Sequence, residues 1–527
     1  MHDSNDPLGT LISRFRAGEI DRRDFLKSAA ALGVGFVAGG ALALNPSTAE
    51  AANVKRGGTL RVAAPATKSI DPLKIDNAGA IAIVQQVGEY LVWAEPDLSL
   101  RPVLATAWHT TDGGKTWIFE LRKGVRFHDG REMTADDVVA TFERLVDPNK
   151  ASVARGQLSF LKPGGTTRVD KYTVKFSLER AIGQFPYYTQ IYNAVILPKD
   201  YAGNFAENPV GTGPFKLISY KPQQSVSYVR NEHYWDAGKP YLDKVEIGLY
   251  GSPQPMILAL QGDETDMMLA VSANDAKPLA RDKNIHIDRA HSSATRLLCM
   301  RVDQKPFDDA RVRKAVALCL NRPAMVKALL AGAGQVADDS PIAPIFGLRT
   351  DVQQRKQDIA QARKLLAAAG YSQGFGIDLH TSNYLELPQY AVLAQQMLAP
   401  AGIRVKLRIE PLSVYYSHWT KVSFGLTDWT GRSTPSQILN AAFSGSSDWN
   451  ASHWQNAKFE KLVSELEAAT GAKRRNELAH EIAVLMLEET PAAIAYFIDL
   501  LRPMNRKVRG VQGNMSNYLD LTRAWLA

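Results

Sequence analysis

Residues 116–146, "TWIFELRKGVRFHDGREMTADDVVATFERLV", pass from a two-residue apolar period to a helical one without a break. A chain that makes this change repeatedly is confined to folds that interleave strands and helices. Thr116 to His128 reads as two short alternating strands around a Lys123–Gly124 turn. Thr134 and Asp137 then resemble a capping box with Asp in the Glu place, and Val138, Val139, Phe142 and Leu145 form one face of a helix that ends before Pro148. Elsewhere "GGTLRVAAPA" is a Gly-punctuated strand followed by the loop "KSIDPLKID", and "TVKFSLER" belongs to a further strand pair. The spacing predicts one helix over 311–330, "RVRKAVALCLNRPAMVKALL", and a second over 359–371 that stops on Gly370 as its C-cap. Two late helices run over "FEKLVSELEAAT" and "RNELAHEIAVLMLEE". No short-period repeat or low-complexity linker interrupts the alternation. The expectation is a mixed α/β chain that crosses between lobes inside structured segments.

The N-terminus follows other rules. Arg22-Arg23 precedes Phe25-Leu26-Lys27, an uncharged run extends from Ser28 to Leu44, and Ala49-Glu50-Ala51 fits the small-x-small cleavage pattern. The run is rich in Gly and Ala and too short for a comfortable membrane span of about 20 apolar residues. These residues resemble a twin-arginine export signal, with the cut placed near Ala51 and no Cys nearby for lipid attachment. The mature chain, about 475 of the 527 residues, is expected free in the periplasm. Its hydrophobic share of 45% and charged share of 22% suit a globular body. The net charge of +8 comes from scattered Lys and Arg, so the massed basic stripe of a nucleic-acid binder is missing.

No phosphate loop, nucleophile elbow or zinc-protease motif occurs; His480-Glu481 lacks the second His, and "HIDRAH" at 286–291 has no zinc spacing. No catalytic residue, metal ligand or cofactor is assigned. Cys299, in an apolar strand-like run, and Cys319, in a helical run, can pair in an oxidising compartment or remain buried free thiols. The residues that suit a solute pocket are aromatic ones in loops. "TDWTGRSTP" at 427–435 and "DWNASHW" at 448–454 set large amphipathic rings beside polar groups. Trp429 and Trp454 are the candidates, with packing at the loop bases as the alternative reading.

Beyond these local patterns, "LATAWHTTDGGKTWIFELRKGVRFHDGREMTADDVVATFERL" resembles the signature block of the extracellular solute-binding proteins of family 5, the peptide and nickel class of ABC importers. "NPVGTGPFKL", "ILALQGDETDMML", "KPFDDARVRKAVALCLNR" and "WQNAKFEKLV" are similar to further blocks of that family, in the same order. The resemblance implies a bilobed periplasmic-binding-protein fold of two discontinuous α/β lobes joined by hinge strands. Lobe I would take residues 52–94, 206–290 and 500–527, an inserted domain 95–205, and lobe II 291–499. It implies a non-catalytic monomer that closes on a peptide or peptide-like solute and docks on an inner-membrane ABC permease. The ligand loop would carry Asp428, Trp429, Thr430, Gly431 and Arg432, with Trp454 nearby. In peptide-binding members this loop continues to an Asp that pairs with the α-ammonium, whereas here the third residue after Trp429 is Arg432. A buried ammonium would be repelled there, while a carboxylate or phosphate would be gripped. Asp428 can instead supply the amine partner, and Arg432 can sit in solvent. An anionic, opine-like or glycosidic solute is therefore the alternative cargo. An exported enzyme or a chemoreceptor adaptor is the alternative class.

Overall fold

In the computed structural model, which describes residues 54–527 apart from 76 and 111, the alternation of periods becomes three sheets of four or more strands. The export signal expected over 1–51 lies outside the described residues. The chain enters with β1 (Thr59–Pro65), helix α1 (Ala78–Val87) and the hairpin β2 (Val92–Ala94) and β3 (Leu100–Pro102). Strands β4 (Ala105–Thr110), β5 (Thr116–Leu121), β6 (Thr166–Asp170) and β7 (Thr173–Ser177) then make a separate antiparallel sheet with helix α2 (Ala135–Val146) packed on it. The chain returns through β8 (Phe215–Lys221), β9 (Ser225–Arg230), β10 (Lys244–Tyr250), β11 (Met267–Met268) and β12 (Ile285–Ala290).

A second α/β layer follows. It contains β13 (Thr295–Met300), α3 (Ala310–Cys319), α4 (Arg322–Leu330), β14 (Gly334–Val336), α5 (Ile359–Ala368), β15 (Phe375–Ser382), α6 (Leu387–Leu398) and β16 (Ile403–Glu410). It continues with α7 (Leu412–Tyr416), β17 (Phe424–Trp429), α8 (Pro435–Phe443), α9 (Ala457–Ala468), α10 (Ala472–Glu489) and β18 (Ala492–Ile498). β19 (Leu500–Asn505) then rejoins the first sheet, and β20 (Val508–Arg509) pairs with β21 (Trp525–Leu526). The seven-stranded sheet has the order β12-β19-β11-β1-β10-β9-β8, and the six-stranded sheet β14-β18-β13-β17-β15-β16.

Among the described residues the two large sheets are joined twice in sequence, by residues 291–294 between β12 and β13 and by Asp499 between β18 and β19. β12 pairs antiparallel with β19, and β13 with β18, so one two-stranded ribbon runs through both sheets. At the crossing Ser292 Oγ donates to Ile498 O, Ile498 N donates to Ala294 O at 2.8 Å, and the buried Asp499 carboxylate takes His291 Nδ1 at 2.8 Å and Arg289 Nε.

Two expectations are corrected. The helix over 311–330 is two helices, α3 and α4, because Pro323 cannot donate a helical hydrogen bond and Asn321 caps the second through Ala324 N. The second strand expected before His128 does not form; Val125 and Phe127 are buried but pair back locally with Met133 and Arg131 around a single bridge. Cys299 and Cys319 are free and buried, and burial pushes both thiols up to about 12.

Several motifs have a packing reason. In "NPVGTGPF" a Cβ on Gly211 would lie 2.1 Å from Val87 O, and one on Gly213 2.6 Å away, so only glycine lets this turn lie against the end of α1. Thr212 between them donates to Glu89 Oε2 at 2.9 Å. The Thr134 capping box forms, with Asp137 Oδ2 accepting Thr134 N at 2.8 Å. Phe142 of α2 meets Phe176 of β7 at a centroid distance of 4.9 Å, and Phe185 packs on Phe176 at the same distance, each pair contributing about 0.5–1.5 kcal/mol beyond its buried area.

Glu89 sits fully buried beside Tyr234 Oη (2.6 Å) and Trp235 Nε1 (2.9 Å), and desolvation lifts its carboxyl from an ordinary 4.5 to about 7 against the pull of those donors. A raised pKa favours the protonated carboxyl in the folded state, so its stabilising contribution is present below 4.5 and is lost as pH rises through about 7. Thermal unfolding is expected to show stability falling between about pH 4.5 and pH 7, by up to about 3 kcal/mol, and levelling off above that. Glu89→Gln should flatten that slope. An unchanged slope would assign it to other groups.

Candidate functional site

β15 and β16 are parallel, and β17 runs parallel to β15, so three strands end together at Ser382, Glu410 and Trp429. The loops after the carboxyl ends of parallel strands are where open α/β sheets hold ligands. Here those loops are residues 383–386, α7, and residues 430–433. Exposed large apolar side chains gather at the same edge, namely Tyr384, Leu385, Leu412 and Val414.

Asp428 and Trp429 are the last two residues of β17, opposite Arg296 and Thr295 of β13. The Asp428 carboxylate accepts the Tyr416 hydroxyl from α7, and Tyr416 Oη lies 3.0 Å from Thr427 Oγ1. Burial first and then Asp428 raise the Tyr416 phenol above its ordinary range. Behind Asp428 lies the buried Arg296, whose Nε is 2.9 Å from Glu386 Oε1. Burial alone would lower this guanidinium, but Glu386, Tyr496 and Asp428 together hold it above its ordinary value. Asp428 is thus already engaged by Tyr416, with Arg296 near enough to act on it electrostatically.

Trp429 is 5% exposed and meets Trp419 at 6.2 Å and Trp449 at 6.0 Å, and its Nε1 has no hydrogen-bond partner among the described residues. Trp454, the other ring expected at the site, packs on Phe459 at 4.8 Å within the helical core. Trp449, in the same segment, is the ring that reaches Trp429.

Gly431 is wedged between two other parts of the chain. A Cβ there would lie 3.0 Å from Met515 O and 3.5 Å from Ser293 Oγ. Met515 leads to Tyr518, which stacks on Tyr90 at 5.9 Å and meets Trp93 at 5.8 Å, an aromatic wall from the first sheet's side. Arg432 faces this wall. Burial lowers its guanidinium, and Tyr192 and Tyr518 are the groups that act on it electrostatically. Its side chain donates to Thr430 Oγ1 at 3.2 Å, Thr430 itself being exposed, and no carboxylate pairs with it among the described residues. Among the same residues no group of three His, Cys, Asp or Glu side chains is placed to hold a metal ion, and no helix is long and apolar enough to cross a membrane.

Sequence reasoning reached the 428–432 loop and missed what surrounds it. Tyr416, Tyr384, the Arg296–Glu386 pair and Tyr518 come from segments scattered over the chain, and no local pattern marks them.

The model of the bacterial extracellular solute-binding proteins, family 5 (its middle part), matches residues 99–451. The chain is 29% identical to the dipeptide-binding protein of Escherichia coli over 78% of this chain and 83% of that protein. It is 26% identical to heme-binding protein A of Haemophilus influenzae over 83% of this chain and 86% of that one. Among solved structures, the periplasmic binding protein DppA of Helicobacter pylori in complex with the peptide STSA superposes with a TM-score of 0.74 at 25% identity, covering 91% of this chain and all of that one.

Removing one member of a buried ion pair leaves the other charge uncompensated. Glu386→Ala is expected to lower the unfolding free energy by about 3 kcal/mol in a denaturant titration. A loss below about 1 kcal/mol would mean that the pair contributes little to holding Arg296 in the fold.

Proposed function

The chain belongs to family 5 of the bacterial extracellular solute-binding proteins and has their bilobed α/β fold, and from that membership we propose which solute it captures for ABC import and how. The cargo is a peptide or peptide-like solute whose anionic group, a carboxylate or phosphate, is gripped by Arg432. The observation that carries this reading is the state of Arg432 itself, a half-buried cation with no carboxylate partner among the described residues. A peptide's α-ammonium placed beside it would meet repulsion, whereas a carboxylate would form a charge-assisted, bidentate pair. The dipeptide-binding relative and the STSA complex support the peptide-like class.

Lobe I in this reading is residues 52–94, 206–290 and 500–527, lobe II is 291–499, and 95–205 is an inserted domain. Asp428, Trp429, Thr430 and Gly431 form the wall around Arg432, and Trp454 braces that wall from the core. Closure about the two crossings brings Arg432 and the Tyr90–Trp93–Tyr518 wall onto the solute together, and a ligand that touches both lobes favours the closed state. The closed protein then docks as a monomer on a membrane permease. It acts in the periplasm after removal of a signal near Ala51, and it returns its solute chemically unchanged.

The experiment is thermal stabilisation of the mature protein by free-amine dipeptides, their N-acetylated forms and acidic conjugates. A solute present at a hundred times its dissociation constant adds about 2.7 kcal/mol of stability. Amine-blocked anionic solutes are expected to stabilise the wild type, and Arg432→Asp to lose that response and gain one to free-amine peptides. An Arg432→Asp variant with an unchanged ligand range would overturn the assignment.

A further inference from the structure

Ser292 and Ser293 are neighbours on the first crossing, and their hydroxyls hold different things. Ser292 Oγ donates across to Ile498 O on the second crossing. Ser293, 3% exposed, holds the solute loop. Its Oγ accepts from Arg432 N at 2.7 Å and donates to Arg432 O at 2.9 Å, so one hydroxyl engages both main-chain polar groups of a residue 139 positions away. From the other side, a Cβ at Gly431 would lie 3.0 Å from Met515 O, a contact tight enough that the neighbour would have to give way. The loop between β17 and α8 is thereby tied to the crossing rather than merely to its own sheet.

We propose that Ser293 is a positioning residue that couples rotation at the crossing to the placement of Arg432. The inference rests on the reading of Arg432 as the solute's anionic anchor, but the bond it assigns can be tested without any solute. As the crossing turns, a loop pinned through both its N–H and its C=O moves with it, and the guanidinium arrives at the Tyr518 wall in a fixed orientation. Without the pin, Arg432 would have to be ordered by the solute at each binding event, which weakens affinity. The Arg432 side chain's own bond, to the exposed Thr430, is too local to supply that orientation.

Hydrogen–deuterium exchange of the full mature protein tests the pin. In Ser293→Ala, peptides covering residues 430–434 should exchange at least tenfold faster than in wild type, with the rest of β13 and β17 unchanged. Ser292→Ala removes the neighbouring hydroxyl and should leave 430–434 unaffected, which separates release of the loop from loosening of the crossing. Equal acceleration in both variants, or none in Ser293→Ala, overturns the proposal. A second arm titrates N-acetyl-L-alanyl-L-aspartate as an anionic, amine-blocked probe. A tenfold loss of affinity in Ser293→Ala, with Arg432→Gln losing more, supports the coupling. Retained affinity in Ser293→Ala together with loss in Arg432→Gln sinks the coupling alone. Affinity unchanged in Arg432→Gln sinks the anionic-anchor reading and leaves the exchange result to decide the pin.

Discussion

The two large sheets are held to each other through one antiparallel ribbon. β12 and β13 run out of one sheet into the other, β19 and β18 run back beside them, and the covalent connection between the sheets is residues 291–294 and Asp499. A ribbon can twist at modest cost because its cross-strand hydrogen bonds need not break, whereas the packed cores on either side cannot deform continuously. The side chains at the crossing restrict that twist. Asp499 is almost wholly buried and is engaged by Arg289 from one strand and by His291 just beyond it, so its charge is answered across the two crossings. Ser292 adds a bond across to Ile498.

The same region explains what the sequence made legible. The quoted blocks are mostly packing devices. Gly211 and Gly213 exist for the backbone of α1, Asp266 is buried against Arg61 and Lys507, and Arg313 donates to Glu489 O and Phe307 O to hold the end of α10. Each joins segments far apart in the chain with residue types that leave a local trace, namely glycine, a cap or an isolated charge in an apolar run. The mixed α/β class, the β1 strand and the late helices were readable because their apolar periods are long and regular. The split at Asn321 was written in Pro323, but the apolar residues on both sides keep one helical phase across the break and hide it.

The site was legible at one loop and opaque around it. Trp429 and Arg432 stand out in sequence because large rings and a lone Arg are unusual between a buried strand and a capped helix. Tyr416 becomes a partner of Asp428 only because β16 and β17 end at the same edge, and Tyr518 reaches Arg432 only because the C-terminal stretch returns to the first sheet's side. Parallel strand ends converge through topology, which no window of residues records. Trp449 and Trp454 show the limit of reading residue type alone. They lie in one short segment, yet one meets Trp429 and the other fills the core with Phe459.

The charge pattern of the interior gives Arg432 its weight. Arg322 is buried against Asp339, which also pairs with Arg355. Arg296 has Glu386, and Arg502, lowered to about 10 by burial, is surrounded by the acceptors Leu269 O, Gln512 O, Asn517 Oδ1 and Tyr518 O. These cations are compensated where they stand, as the cost of burying a charge requires. Arg432 is only half-buried; burial lowers its guanidinium, and its side chain bonds a neighbouring threonine hydroxyl. Arg475 is likewise lowered by burial, and its buried Nε has no hydrogen-bond partner among the described residues, so an open guanidinium is not peculiar to Arg432. In the proposed reading a solute's anionic group completes Arg432. On that proposal, closure would remove the remaining water and strengthen the attraction as the local dielectric falls, so the pairing would favour the closed, loaded state.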